Sequence, residues 1–354
     1  MAIALGLCAC TAEPKSTTGS SADVVPSPHL DKTAMKQAAP NQQMQAVLDE
    51  LAALGGKPIA TLTATEARKQ PTPTDAVMAL LRKRGGTQPT SMVTTVDRPV
   101  GGAAGELPAR IYTPVGTAPF PVLLYFHGGG FVLADKDVYD AGPRALAQAA
   151  NCVVVSVDYR KGPEHRFPAA HDDAVAAYRW LLKHAQSLQG DPQRIAVGGE
   201  SAGGNLAANV AIAARDQGLQ MPVHQLLVYP MASSDMNTPS YVENADAKPL
   251  NKAMMVWFGE QYFQDPADAK DPRINLVSAK LKQLPPTTII TAQIDPLRSG
   301  GEELAALLKS ADVDVALKHY QGVTHEFFGM GAAVDEAKQA VAFSAARLKP
   351  DFAR

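Results

Sequence analysis

Gly199-Glu200-Ser201-Ala202-Gly203 lies between Arg194-Ile195-Ala196-Val197-Gly198, a short apolar run with strand character, and Ala202 to Arg215, an alanine-rich run with helix character. A serine on so tight a strand-to-helix turn projects its hydroxyl into open space. The turn brings the chain close to itself, so small residues must flank the serine, and Gly199 and Gly203 do so. The helix start behind Ser201 offers unpaired N–H groups where negative charge would develop. The same pentapeptide pattern also occurs in glycine-rich loops that do no chemistry, so its meaning depends on the rest of the chain.

On either side of this turn the chain alternates strands and helices. Pro121 to Phe126 and Cys152 to Val157 are continuous apolar runs, as expected of strands buried on both faces. Gln225 to Tyr229, Thr287 to Ala292 and Val315 to Tyr320 continue the strand series. Helices are expected over Ala141 to Ala150, His171 to His184, Glu302 to Ser310 and Val334 to Leu348. This rhythm implies a mostly parallel sheet covered on both sides. Upstream, Val93 to Val100 and Leu107 to Thr113 flank Gly101-Gly102-Ala103-Ala104-Gly105 and are expected to form an antiparallel hairpin.

Two segments stand outside the rhythm. A helical prefix comprises Asn41 to Leu54, Ala64 to Gln70 and Thr74 to Arg84, the last with Thr74 as its expected N-cap. Met231 to Pro285 separates two strands, has no strand pattern of its own, and carries the aromatic helix Ala253 to Phe263. Long insertions of this kind are usually functional. The prefix and the insertion are therefore expected to form a cap, with Trp257 and Phe258 as candidate substrate-binding residues.

A serine hydroxyl needs a base within hydrogen-bond reach, and the base needs an orienting carboxylate. Groups that act on open parallel sheets sit at the carboxyl ends of strands. Asp295 follows the strand Thr287 to Ala292, and His325 follows Val315 to Tyr320. Taken singly, Asp295 could be an N-cap and His325 and Glu326 polar loop residues. Together with the serine turn they form a candidate Ser201, His325 and Asp295 relay. His127-Gly128-Gly129-Gly130 directly follows another strand, and its amides with that of Ala202 could hold an oxyanion. His127 precedes the serine turn and is expected to fix its loop by hydrogen bonding.

The chain resembles the bacterial hormone-sensitive-lipase (family IV) esterases from about Asn41 to its C-terminus. The similarity rests on His127-Gly128-Gly129-Gly130-Phe131, Val157-Asp158-Tyr159-Arg160, Pro163-Glu164-His165-Arg166-Phe167-Pro168, Gly199-Glu200-Ser201-Ala202-Gly203-Gly204-Asn205, Asp295-Pro296-Leu297 and His325. The resemblance implies an α/β-hydrolase fold: a mostly parallel eight-stranded sheet flanked by helices, with a helical cap. It implies the triad Ser201, Asp295 and His325, the oxyanion donors Gly128, Gly129 and Ala202, and carboxylesters of short to medium acyl chains as substrates. The corresponding boundaries are a leader over residues 1–30, the N-terminal part of the cap over 31–90, and a catalytic domain over 91–354 with 231–285 as cap insertion. The chain departs from the family pattern at Glu200, where Asp is more usual, at Lys161-Gly162, where Leu-Ala is more usual, and at Glu326, where Gly is common. Glu164 and Arg166 are expected in ion pairs. An amide hydrolase with the same relay and a non-catalytic receptor on the same fold are the rival readings.

The formal charge of −2 makes nucleic acid an improbable partner. The body holds no stretch apolar for long enough to cross a bilayer. Three cysteines make no disulfide framework, and Cys152 in its apolar strand is expected as a buried free thiol. Ala2 to Cys10 is small and apolar and is followed by a Ser-, Thr- and Pro-rich tether, like the end of a bacterial lipoprotein leader with Cys10 as the lipidated residue, although no Lys or Arg precedes it. On that reading the protein is anchored at a bacterial cell envelope; on the other, the terminus has no function and the protein is cytoplasmic. No metal or cofactor is expected. The expected partners are a small-molecule ester, a lipid at Cys10 if the leader reading holds, and a second copy of the chain if the protein forms a homodimer.

Overall fold

The computed structural model of the chain describes Ala2, residues 38–86 and residues 92–354. Cys8, Cys10 and the polar tether therefore lie outside the described residues. The helical prefix consists of α1 (Gln42–Ala53), α2 (Ala64–Ala67) and α3 (Pro73–Lys83). It is followed by β1 (Thr94–Asp97), β2 (Val100–Gly102), β3 (Gly105–Leu107), β4 (Ala109–Thr113) and β5 (Phe120–Phe126). The alternating part runs α4 (Ala141–Ala150), β6 (Val153–Val157), α5 (Ala169–His184), β7 (Gly190–Glu200), α6 (Ala202–Asp216) and β8 (Gln225–Val228). The insertion holds α7 (Pro239–Glu243) and α8 (Lys252–Tyr262), and the chain closes with β9 (Thr287–Ile294), α9 (Arg298–Ser310), β10 (Val315–Thr324) and α10 (Asp335–Phe352).

Eight strands form one sheet in the order β1-β4-β6-β5-β7-β8-β9-β10. β1 and β4 pair antiparallel, β4 pairs antiparallel with β6, and every later pairing is parallel. Side chains alternate across the pleat. On β5, Val122, Leu124 and Phe126 enter the core layer shared with α5, α6 and α9, and Leu123 and Tyr125 enter the layer shared with α4 and α10. Both faces of the central strands are thus apolar, which accounts for their unbroken hydrophobic runs.

The expected hairpin is interrupted. Thr94 to Asp97 pairs with Arg110 to Thr113 in the main sheet, and Val100 to Gly102 pairs with Gly105 to Leu107 in a separate two-stranded ribbon. Pro99 and Pro108 fall at the break, and neither has an N–H for the ladder. The ribbon lies on α5 with Gly101 against the Trp180 ring, where a Cβ would come within 2.7 Å of Cδ1. The N-cap of α3 is Thr72 and not Thr74. Thr72 and Asp75 form a reciprocal capping box with Pro73 at the first helical position, and the Thr74 hydroxyl donates to the Val138 carbonyl.

The prefix and the insertion meet. The Trp257 indole N–H donates to the Leu62 carbonyl at 2.9 Å. Arg68 pairs with Glu164 at 2.8 Å and also donates to the Gly162 and Val132 carbonyls. Among the described residues Arg166 makes no ion pair. It donates to the carbonyls of Glu260 and Phe263 at the end of α8, because the helix terminus presents unpaired oxygens there. Among the described residues no helix is long and apolar enough to cross a membrane.

The sheet supports the serine turn through a close approach. A Cβ on Gly203 would overlap the Phe126 carbonyl oxygen at the end of β5. Because that obstacle is backbone, Gly203→Ala is expected to destabilise the protein by at least about 3 kcal/mol, the upper part of the range for overpacking. Chemical denaturation checks this, and an unchanged midpoint would contradict the packing described.

Candidate active site

Ser201 sits between β7 and α6 with φ 58° and ψ −118°, a conformation that L-residues avoid. Holding a non-glycine residue there costs on the order of 1–3 kcal/mol. The turn is pinned on both sides: the Ser201 N–H donates to Val228 O at 2.9 Å, and Ser201 O accepts from the Met231 N–H at 3.1 Å.

The strained serine meets the other two expected groups. His325 Nε2 lies 2.9 Å from Ser201 Oγ, and His325 Nδ1 lies 2.7 Å from Asp295 Oδ2. All three residues are buried. Asp295 Oδ1 accepts from the Leu297 N–H at 2.8 Å, so the carboxylate cannot rotate freely. β9 and β10 run in parallel register to Tyr320 and then shift, so that Thr324 pairs with Ile294. That irregularity leaves Asp295 and His325 as the next residue after each strand, on the same side of the sheet as Ser201. With Nδ1–H directed at the carboxylate, Nε2 is free to accept the serine proton.

The His127-Gly128-Gly129-Gly130 loop is held from below. Gly128 O receives the His127 Nδ1–H at 2.7 Å, and the Tyr159 hydroxyl donates to His127 O at 2.9 Å. The His127 ring stacks on Tyr159 with centroids 4.4 Å apart, and its Nε2 lies 3.4 Å from Asp158 Oδ1. His127 is therefore a loop-fixing residue, as expected. Among the described residues the N–H groups of Gly128, Gly129 and Ala202 donate to no protein acceptor.

Several supporting residues were not evident in the sequence. Asp173 on α5 is buried and receives Arg160 through Nε at 2.8 Å and Nη2 at 2.9 Å, which fixes the Asp158-Tyr159-Arg160 segment beneath the glycine loop. Asn205, in the second turn of α6, donates to Met231 O and Ile274 O and accepts from His171, which also contacts the Tyr262 hydroxyl. Asn205 thereby ties the insertion to the helix behind Ser201. Burial lowers the His171 pKa to about 4, so the ring stays neutral in this role.

Two further carboxyl groups crowd the imidazole. Glu200 is buried, and its two oxygens accept from the hydroxyls of Tyr125 and Tyr229. Burial raises its pKa to about 7, even though both hydrogen bonds favour the charged form. Glu326 has φ 70°, and its Oε1 accepts from the Tyr139 hydroxyl at 3.3 Å. Burial raises its pKa too, against the opposing pull of His325. For His325 itself, burial pulls the pKa down, but the Asp295 charge and hydrogen bond, reinforced by Glu326 and Glu200, turn the net shift upward. Cys152 is buried with its thiol pushed up to about 12, so it is an inert core residue.

The cavity above Ser201 is small, about 20 Å³. Gly129, Ala202 and His325 form its floor, and Met254, Met255 and Phe258 of α8 its roof. Phe258 thus stands where a substrate-binding residue was expected. Trp257 does not line the cavity. It is buried on the next face of α8 and joins the insertion to the prefix.

The chain is similar to several known proteins. A family profile described as alpha/beta hydrolase fold matches residues 123–329. The esterase LipI of Mycobacterium tuberculosis is 42% identical over 251 residues, covering 69% of this chain and 78% of that protein. An ethyl acetate hydrolase of Pseudomonas putida is 36% identical over 289 residues, covering 80% and 88%. The solved Pyrobaculum calidifontis esterase superposes with a TM-score of 0.77 at 38% identity, covering 85% of this chain and 96% of that one.

The charges around His325 set a pH dependence. The base must be neutral, so the rate should rise with pH through a midpoint above the ordinary imidazole value. Glu326→Gln removes a negative charge that favours the imidazolium, so the acid limb of kcat/KM should move to lower pH. A midpoint that stays in place, or moves up, would contradict this electrostatic assignment.

Proposed function

The chain belongs to the hormone-sensitive-lipase-like carboxylesterases of the α/β-hydrolase superfamily, and on that premise we propose that it hydrolyses short- to medium-chain acyl esters through an acyl-enzyme formed on Ser201. The observation that carries this reading is the buried relay from Ser201 Oγ to His325 to Asp295, ending on a serine in a strained turn.

Ser201 Oγ attacks the ester carbonyl as His325 Nε2 takes its proton. Asp295 keeps Nδ1 protonated and stabilises the imidazolium. Negative charge moves to the carbonyl oxygen, where the amides of Gly128, Gly129 and Ala202 receive it. The tetrahedral centre collapses, the carbon–oxygen bond to the alcohol breaks, and Nε2 returns its proton to the leaving oxygen. Water then attacks the acyl-enzyme, with His325 again as base, and releases the carboxylic acid and free Ser201. Because the site is buried, each of these charge interactions is stronger than it would be in water.

The helical prefix and the 231–285 insertion act as a two-part cap, with 91–354 as the catalytic domain that carries it. Leu250, Met254, Met255 and Phe258 give the insertion its contact with the reacting centre, and flexible methionines suit a roof that must adapt to different acyl groups. The cavity's limited room supports short chains over long ones.

With p-nitrophenyl butyrate as substrate, Ser201→Ala should lower kcat by roughly four to six powers of ten. Asp295→Asn should lower it by about 10⁴ through loss of the correct tautomer. Wild-type levels in either variant would sink the proposed roles. Phe258→Ala should raise kcat/KM for hexanoate relative to acetate. Trp257→Phe should cost about 1 kcal/mol of stability for one lost hydrogen bond, with acyl preference unmoved. Ester profiles and thermal melts check the pair, and the opposite pattern would reverse the two assignments.

A further inference from the structure

A second void lies beside the reacting centre. Its volume is about 450 Å³, against about 20 Å³ for the cavity at Ser201. It runs between α3, α4 and α10, and its walls are largely apolar, including Val77, Leu81, Ala145, Phe328 and Val341. Asp140, Arg144 and Lys338 also line it, and its polar groups nearest the reacting serine are Glu200 and Glu326. The smaller cavity has room for about one water, since a void needs about 10–15 Å³ for that. That is too little for a long alkyl chain.

Among the described residues, Glu326 is the one that lines both voids. It directly follows His325, and its carboxyl is steadied by the Tyr139 hydroxyl. Tyr139 is buried and lines the large chamber as well. Glu326 and the Tyr139 hydroxyl that holds it thus stand between the two voids and turn a polar face toward anything that would cross.

Resting on the esterase reading above, we propose that Glu326 is a specificity-determining partition: it closes the reacting centre off from the apolar chamber, and thereby limits the length of the alkyl arm the enzyme accepts. Removing the side chain joins the two voids and gives an unbranched chain an apolar seat. Backbone conformation favours the experiment, because φ at 326 is in the region that glycine adopts freely. Glutamine keeps the volume and polarity of the side chain, so it keeps the partition.

The test measures kcat/KM for wild type, Glu326→Gly and Glu326→Gln over two substrate series. One lengthens the acyl arm, p-nitrophenyl acetate to laurate; the other lengthens the alcohol arm, methyl to octyl acetate. Transfer of several methylenes from water to an apolar wall is worth more than a tenfold change. In Glu326→Gly the long-to-short ratio should rise at least tenfold in one series, which also identifies the arm that enters the chamber. In Glu326→Gln both ratios should stay within about twofold of wild type. Refilling the chamber with Ala145→Phe in the Glu326→Gly background should remove the gain. Ratios that rise in neither series, or a gain that survives Ala145→Phe, would overturn the partition. Flat ratios with turnover that vanishes in Ser201→Ala would contradict the partition alone. Absence of turnover by the wild type on every ester would overturn the hydrolase reading and the partition with it.

Discussion

Ser201 stays at positive φ because the chain around it has no room to relax. Gly199 and Gly203 bring the turn against the end of β5, where the carbonyl oxygen of Phe126 occupies the place any side chain at 203 would need. The same approach sets the start of α6 beside the glycine loop that follows β5, so this contact brings the Ser201 hydroxyl and the amides of Gly128, Gly129 and Ala202 together. The strain of a non-glycine residue in this conformation is met by the parallel pairing of β5, β7 and β8, which is buried on both faces. Changes that loosen this contact act on stability and on chemistry together.

The second layer of the design is electrostatic. A buried imidazole is normally held neutral, yet here Asp295, Glu326 and Glu200 shift its balance toward the imidazolium. In the proposed mechanism this favours the charged form that accumulates in the transition state, at the expense of activity at low pH. Two tyrosine hydroxyls satisfy Glu200 and one satisfies Glu326, so hydrogen bonds anchor these acids. Their placement explains how two extra carboxyl groups can sit beside the relay without disrupting it. The prefix and the insertion are anchored by different means, through Trp257 to Leu62, Arg68 to Glu164, and Asn205 to the insertion backbone.

Much of this site was legible in the sequence because position relative to a strand carries the information. Ser201, Asp295 and His325 each come within a few residues of the end of a strand-like run, and parallel strands deliver their carboxyl ends to one side of the sheet. Trp257 and Phe258 show where that logic stops. They are adjacent aromatic residues on one helix, about 100° apart around its axis, and nothing local says which of them faces the cavity. The tyrosines that hold Glu200 and Glu326 come from β5, the end of β8 and the segment before α4, so the pairing exists only in three dimensions. Asp173 lies inside a helix and lacks any distinguishing local pattern, and the partners of Asn205 on the insertion exist only in three dimensions. The break in the hairpin and the cap at Thr72 are different. Pro99, Pro108 and the Thr72-Pro73-Thr74-Asp75 sequence signalled both, and the longer apolar periodicities masked them.

The measurement that most directly tests the central claim is titration with diethyl p-nitrophenyl phosphate, followed by peptide mapping of the product. If the strained serine and its imidazole form the nucleophile, each protein molecule releases one equivalent of p-nitrophenolate and the diethylphosphoryl group is found on Ser201. His325→Ala should slow that burst by several powers of ten, because the hydroxyl then has no base. Labelling at another residue, or labelling of Ser201 at the same rate without His325, would contradict the account.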